Sequence, residues 1–462
     1  MKMNQRDLTE GNLLKHLLFL SLPAALALLL QSSYGLIDIY WVGKLGPAPV
    51  AAVSLIWILF SIVLAVSHTL GTGTVALIAQ AYGKKEYEKA GYIARESLLL
   101  TFLTASTFSL LGFLFSHRII HALGGRGEVL LLGTDYFRII SIAYFFQILN
   151  FNINFSLRGS GNMTTPMVIL FISSLLNIIL DPLLIFGIGF FPRLGVQGAA
   201  LATLISQVFA FFYAFRVLQS GKSLRLSKMR FNLNPALVKT LLIIGLPVGL
   251  QFGMMGGVRM VVLRLSAEYG TEVLAAAGIG FRILLMAVLP VVAIGIATTT
   301  LVGQNLGARK VGRSERCGLQ AIVLACGVMV IFGYFTALLA KPLMEIFTKD
   351  PGVIQSGVGF LKIVPLSLLF IGFAIAANGV FRGAGNTTPP MVISFLKLLL
   401  LFLLAFLLPK VPHLGVKGLW WAMVFAYVLE AVLNGGWFFL GKWKERRVEG
   451  DESRIFSLPA ES

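Results

Sequence analysis

The sequence predicts an all-α membrane protein of twelve transmembrane helices, arranged as two six-helix lobes related by a pseudo-two-fold axis along the membrane normal. Three observations predict this fold. Hydrophobic residues make up 57% of the 462 residues and charged residues 13%. The apolar residues form runs of about 20 or more, which is long enough for a helix to cross a ~30 Å hydrocarbon layer. The second half of the chain repeats the first.

The apolar runs delimit the lobes and their connections. A polar, basic stretch divides the two halves, so we predict a first lobe over 1–217, a linker over 218–234, a second lobe over 235–440 and a tail over 441–462. The predicted spans are 13–42, 50–80, 93–115, 129–155, 164–187 and 196–217 in the first lobe, and 236–265, 274–305, 317–340, 353–380, 388–408 and 415–440 in the second.

The repeat appears when the chain is shifted by 224 positions against itself. SLRGSGNMTTP at 156–166 then falls on VFRGAGNTTPP at 380–390. Further on the shift is 220, which places LGVQG at 194–198 on LGVKG at 414–418. With six spans in each copy, both copies enter the membrane in the same direction, which predicts the axis along the membrane normal.

The net charge of +18 indicates topology rather than nucleic-acid binding. Lys and Arg residues concentrate in alternate loops, as at 84–89, 216–239 and 309–316, and in the tail at 442–447. Positive residues remain on the cytoplasmic side, so we predict a multi-pass protein of the inner (plasma) membrane with both termini in the cytoplasm.

The sequence lacks the motifs of an enzyme or of an ATP-driven pump. It contains no phosphate-binding loop, no paired His and Cys ligands and no nucleophile elbow. The two cysteines, Cys317 and Cys326, are interpreted as small buried hydrophobic residues. We therefore expect no enzymatic activity and no cofactor. Two lobes moving about a central cavity, powered by an ion gradient, are the expected arrangement.

Polar residues recur at helical spacing in four spans of the first lobe. Residues three, four or seven apart share one face of a helix, so each span carries a polar stripe that we expect to face the protein interior. The stripes are Gln31, Tyr34 and Asp38; Gln147, Asn150 and Asn154; Asn177 and Asp181; and Thr203 and Gln207.

The second lobe has lost most of these groups. The repeat shift places Asp38 on Val262 and Asp181 on Ala405, and of the stripe residues compared only Asn154 keeps a polar counterpart, Asn378. The helical frame therefore does not require them. A carboxylate at membrane depth costs about 2.5–3.5 kcal/mol, so it usually marks a functional site.

The pair Asp38 and Asp181 is the predicted coupling site. Two carboxylates in one lobe favour the uptake of a proton, and with neutral oxygens from Asn177 and Thr203 the same cluster could hold Na⁺. For Asn154, Asn177 and Thr203, hydrogen bonding between helices is the competing interpretation.

Other charged or titratable residues lie in or near spans. His68 is either a proton carrier or a hydrogen-bonded core histidine. Arg259, Lys397 and Glu430 are interpreted as snorkelling or mutually paired residues, with a second coupling site as the alternative. The corner arginines Arg158 and Arg382 are interpreted as capping or lipid-facing residues.

These patterns together resemble the multidrug and toxic compound extrusion (MATE) family, in its DinF-like branch. The resemblance covers about 13–440 and includes the Pro-bearing first helix with Asp38 ahead of WVGKLG, the two Arg-Gly-x-Gly-Asn segments, and NIILDPLLIFG at 177–187. It implies a first-lobe cation site of Asp38, Asn177 and Asp181, with Thr203 as a fourth member. The other prokaryotic branch uses acidic residues in helices 7 and 10, which are absent here.

The resemblance implies an antiporter, driven by H⁺ or Na⁺, that exports amphipathic and often cationic drugs and toxic compounds by alternating access. The 36 Phe and 13 Met residues would supply an adaptable apolar lining, and the polar stripes would bind substrate. We expect a monomer in the lipid bilayer with no nucleic-acid partner. The alternatives are a flippase for lipid-linked sugars and a passive channel. The sequence leaves the coupling ion and the natural substrate open.

Overall fold

The structure is a computed structural model that describes residues 7–221, 224, 226 and 233–445, without the side chains of Ser33, Tyr34 and Leu36. Within these residues the chain is helical and contains no strand. The α-helices, in order from α1 to α15, are Leu13–Gly43, Pro47–Gly83, Tyr87–Leu114, Ser116–Ala122, Gly127–Gly159, Thr164–Phe186, Val196–Gln219, Pro235–Ala267, Thr271–Gly307, Val311–Leu338, Ala340–Phe347, Pro351–Ile363, Leu368–Gly383, Thr388–Leu407 and Val416–Leu440.

The predicted twelve spans are confirmed. Twelve helical segments of the described chain are long and apolar enough to cross a membrane, and each overlaps one predicted run. The tenth span is built from α12 and α13, joined by a 3-10 turn at Val364–Ser367 that contains Pro365. Pro365 has no backbone N–H to donate to the helical ladder, and the α-helical pattern breaks at this residue.

Two short helices were missing from the sequence prediction. The helices α4 and α11 lie between the third and fourth spans of each copy, and their starts, Ser116 and Ala340, are 224 positions apart. With 7 and 8 residues they are too short to produce a membrane-length apolar run. They extend the repeat to elements outside the predicted spans.

Local sequence explains where several helices begin. Gly46 adopts a φ of 116°, which favours glycine, and Pro47 follows it in the first turn of α2. At α12, the Val353 backbone N–H donates to Asp350 Oδ1 at 3.0 Å, with Pro351 again in the first turn. A capping side chain accepts a hydrogen bond from a backbone N–H that has no partner within the helix, and a proline in the first turn has no N–H that would need one.

The first compact unit comprises Asp7 and the described residues of Leu22–Gly249. Its centre is α5, which packs against α2, α3 and α7. Buried apolar side chains of α5, such as Phe137 and Ile148, form the core with residues of α2 and α7. This arrangement fixes α7, and through it α6, around the polar stripes of the first unit.

The second compact unit comprises Leu8–Ser21 and Leu250 onward. Its core lies where α13 packs against α9 and α10, with Trp420 and Phe360 fully buried. The segment Leu8–Ser21 belongs to this unit, where Lys310 Nζ donates to the Thr9 carbonyl at 3.0 Å. The unit boundaries thus fall inside α1 and α8, whereas the sequence boundaries fall in loops. The linker 218–234 lies mostly, and the tail beyond 445 entirely, outside the described residues.

Candidate functional site

The four predicted coupling residues come from three helices of the first unit. Asp38 lies near the end of α1, Asn177 and Asp181 lie one turn apart on α6, and Thr203 lies on α7. All four side chains are buried, with Asp181 fully enclosed and Asp38 at 7% exposure. The structure therefore places the carboxylates where the surroundings contribute little hydration.

Asn177 connects α6 to α7 through its amide nitrogen. The Nδ2 atom donates to Asp181 Oδ1 at 3.3 Å and to Thr203 Oγ1 at 3.4 Å. Both distances are at the long end for hydrogen bonds, so these contacts orient the side chains without engaging them fully. The structure thus brings together Asn177, Asp181 and Thr203, three of the four predicted coupling residues.

Asp38 joins this cluster through its charge. It lies close enough to interact electrostatically with both Asp181 and Tyr144. Among the ion pairs formed within the described residues, neither carboxylate is paired with a Lys or Arg. Two like charges of this kind in a low-dielectric interior attract a cation or a proton strongly.

The cluster presents oxygen acceptors that have no donor. Asp38 Oδ1, Asp181 Oδ2 and Asn177 Oδ1 are buried and have no hydrogen-bond partner. Buried polar atoms are nearly always paired in native proteins, so these three acceptors are chemically suited to receive a donor or a cation. No group of three or more His, Cys, Asp or Glu residues in the described chain could hold a metal ion. A Na⁺ site here would need the amide and hydroxyl oxygens of Asn177 and Thr203.

The remaining stripe residues form a second polar group. Asn150 Nδ2 on α5 donates to Gln207 Oε1 at 3.0 Å and to the Gln207 carbonyl at 3.1 Å on α7. Asn154 Oδ1 is buried without a partner, and Gln31 and Gln147 are half-buried. The Tyr34 side chain is outside the described residues. Asn150 and Asn154 thus each keep a buried side-chain oxygen without a hydrogen-bond partner.

Sequence reasoning missed Tyr144. This residue is buried on α5, and its ring packs against Phe60 with centroids 6.2 Å apart. It lies three residues before Gln147, so it continues the polar stripe of α5 by one turn. That spacing was the available signal. A tyrosine in an apolar run is easily taken for a core aromatic, which is why the pattern did not single it out.

The other residues singled out in the sequence have separate surroundings. The His68 ring packs edge-on against Phe155 at 5.3 Å. Lys397 Nζ pairs with Glu430 Oε2 at 2.9 Å, whereas Arg259 is exposed. Arg158 lies over the Phe155 ring, and Arg382 donates to Gln251 Oε1 at 3.3 Å. Cys317 is buried and Cys326 is half-buried, both as free thiols.

Comparisons with known proteins agree with the repeat and the fold. The MatE family profile matches residues 23–183 and 247–407, two segments offset by 224 positions. The chain is 30% identical over 440 residues to the probable multidrug resistance protein NorM of Thermotoga maritima, covering 94% of each chain. It is 29% identical to the probable multidrug resistance protein YoeA of Bacillus subtilis, covering 92% of this chain and 93% of the relative.

A solved structure shares the fold along almost the whole chain. It is described as the outward-facing conformation of a multidrug resistance MATE family transporter of the MOP superfamily. The match has a TM-score of 0.89 at 26% identity and covers 96% of this chain and 100% of the other.

Proposed function

The chain belongs to the MatE family, and we propose that it is a cation-coupled antiporter that exports amphipathic, often cationic compounds by alternating access. It is a multi-pass membrane transporter and not an enzyme. Its relatives are named as multidrug resistance and export proteins, which supports drug efflux over the flippase and channel alternatives. We further propose that it acts as a monomer in the plasma membrane, with both termini in the cytoplasm.

The observation that carries the proposal is the carboxylate pair of the first unit. Asp38 and Asp181 are buried, interact electrostatically, and keep unpaired oxygens beside that of Asn177. A permanent structural role would leave such charges paired with Lys or Arg. A site that must bind and release a cation needs acceptors that remain available, and this cluster supplies them.

The proposed cycle alternates the occupant of this cluster. When the site opens outward, H⁺ or Na⁺ neutralises the carboxylates, which weakens their attraction for a cationic substrate and releases it. After inward opening the ion leaves, and the negative site binds the next substrate. One unit charge moving down 100 mV supplies about 2.3 kcal/mol, enough for roughly fifty-fold accumulation per charge.

The test is efflux of a fluorescent cationic drug from vesicles that contain the purified protein. A Na⁺ gradient at equal pH and a pH gradient without Na⁺ are imposed separately, so that the driving ion is identified. We expect Asp38→Asn and Asp181→Asn each to abolish gradient-driven efflux, because a neutral amide neither takes up a proton nor carries the negative charge that attracts Na⁺.

Asp135→Asn is the matched control. Asp135 accepts a hydrogen bond from Gln197 at an exposed position, so the same chemical change there should leave efflux intact. Gradient-driven efflux that remains at the wild-type rate in both cluster variants would rule out the coupling role of the carboxylates.

A further inference from the structure

The second unit contains a buried ion pair of its own. Lys397 on α14 and Glu430 on α15 approach to 2.9 Å between Nζ and Oε2, and their side chains are only 12% and 6% exposed. Removing two charges from water is costly, and their attraction compensates only when further hydrogen bonds engage the remaining atoms. The surroundings of this pair therefore determine whether it is stable.

Polar and aromatic groups from three helices surround the pair. Ser394 Oγ donates to the other carboxylate oxygen, Glu430 Oε1, at 3.4 Å, and Gln251 Nε2 of α8 donates to Ser394 Oγ at 3.0 Å. The Lys397 ammonium lies 4.9 Å from the centroid of the Tyr427 ring. A carboxylate on one side and an aromatic face on the other is the combination that recognises organic ammonium ions.

The repeat shows that this arrangement is confined to the second copy. The shift of 224 places Lys397 on Ser173 and Gln251 on Ala27, and the shift of 220 places Glu430 on Ala210. The first copy thus has neither the acid nor the base at these positions. Each unit nevertheless presents a carboxylate at membrane depth, and in the second unit a neighbouring helix supplies the cation.

We propose that Glu430, Ser394 and Tyr427 form a cation site in the second unit, and that the Lys397 ammonium occupies it as a tethered ligand. If a short side chain without an ammonium group replaced Lys397, the vacated site would bind a small primary alkylammonium ion. On the proposed function, this fixed cation means that the second unit exchanges no ion in the cycle, which leaves coupling to the first unit.

The geometry favours an ammonium over Na⁺. An ammonium has three N–H donors, which here meet a carboxylate oxygen and a ring face. Na⁺ requires several oxygen ligands, whereas the immediate surroundings of Nζ provide the carboxylate and, one helical turn away on α14, the Ser394 hydroxyl. Selectivity for primary ammonium ions is therefore part of the proposal.

The test is chemical rescue of stability in the purified full chain. Lys397→Ala removes the atoms equivalent to propylammonium, so this ion is the probe. We expect Lys397→Ala to unfold at a lower temperature than wild type, and propylammonium to raise that temperature as its concentration rises, because a ligand that binds the folded state stabilises it. Neither n-propanol, which has a similar shape without the charge, nor NaCl at equal ionic strength should raise the unfolding temperature of Lys397→Ala.

Two further variants make the result specific. Lys397→Met fills the space of the side chain without its charge and should show no response to propylammonium. Lys397→Ala combined with Glu430→Gln removes the counter-charge, so the apparent affinity for propylammonium should fall at least about tenfold, as expected for a buried charged hydrogen bond.

Several outcomes would overturn the proposal. They are the absence of any shift in Lys397→Ala, an equal shift in Lys397→Met or in the double variant, or an equal shift with n-propanol. If Lys397→Ala does not fold alone, it is prepared with and without propylammonium: folded protein only with the amine supports the site, and folded protein in neither condition overturns it. The readout involves no transport, so it is independent of the coupling role of Asp38 and Asp181.

Discussion

The contact between α2 and the first half of α8 depends on glycine, and Gly245→Ala is expected to disrupt it. A Cβ atom at Gly245 would lie 1.6 Å from the Thr69 carbonyl oxygen, a backbone atom that cannot rotate away. Gly249 and Gly73 face the same contact, with Thr69 Oγ1 and the Leu241 carbonyl at 1.9 Å and 2.5 Å from their would-be Cβ atoms.

The magnitude follows from two opposing effects. Alanine in a helix interior is favoured over glycine by about 0.5–1 kcal/mol. Ordinary van der Waals contact begins at 3.4 Å, so the helices would have to separate by about 1.8 Å at Gly245. Overpacking of this kind costs about 1–3 kcal/mol or more. We therefore expect Gly245→Ala to be net destabilising by about 1–2 kcal/mol.

The assay compares thermal unfolding of purified variants in one detergent. Gly253→Ala is the matched control on the same helix, because a Cβ there meets nothing within 4 Å. It should be neutral or stabilising by about 0.5–1 kcal/mol, from helix propensity alone. If Gly245→Ala unfolds at or above the wild-type temperature while Gly253→Ala behaves as expected, the close approach of α2 and α8 is wrong.

Three further predictions concern other contacts. Glu96→Gln should destabilise the protein by about 3 kcal/mol in thermal unfolding, because the buried Glu96 carboxylate pairs with Arg95 and accepts the Asn234 backbone N–H at 2.9 Å. Glu86→Gln, at a more exposed pair with Lys89, should cost under about 1 kcal/mol. Equal losses in the two variants would contradict the buried pairing of Glu96. Trp420→Ala should lower the free energy of unfolding by about 3–5 kcal/mol, since this ring is buried with its centroid 4.8 Å from that of Phe360. Phe439→Ala removes a side chain that is 71% exposed and should change the unfolding temperature little. A larger loss in Phe439→Ala than in Trp420→Ala would refute the packing of Trp420 in the core. Asn177→Leu, which reproduces the second-copy residue Leu401, should raise the ion concentration for half-maximal efflux about tenfold, and an unchanged value would exclude the amide oxygen as a ligand.

Much of the fold could be predicted because membrane spans leave a one-dimensional signal. A helix that crosses the bilayer must satisfy its own backbone, so it produces a long apolar run whose ends lie near loops. The predicted run 164–187, for example, corresponds to the helix Thr164–Phe186. The short helices α4 and α11 leave no such run, and for this reason they were not predicted.

The candidate site was predictable to the extent that it follows helical spacing. Asn177 and Asp181 share a face by their separation of four residues, and the structure joins them by a hydrogen bond. Partners on different helices follow from no local pattern. The proximity of Tyr144 to Asp38 and the choice of Lys397 over Arg259 as the partner of Glu430 depend on packing. The boundaries of the compact units inside α1 and α8 have the same origin.

The two copies of the repeat give their buried carboxylates different surroundings. In the second unit Glu430 has a lysine within hydrogen-bonding distance, so the two buried charges compensate each other between α14 and α15. In the first unit Asp38 and Asp181 have no such base among the described residues, so burying both in their charged form is unfavourable. That energetic difference is what a coupling site requires, since an ion can drive a change only where its binding relieves an unfavourable state. The two copies thus differ in where their buried carboxylates lie, since Asp38 aligns with Val262, Asp181 with Ala405 and Glu430 with Ala210, and in whether a lysine compensates them.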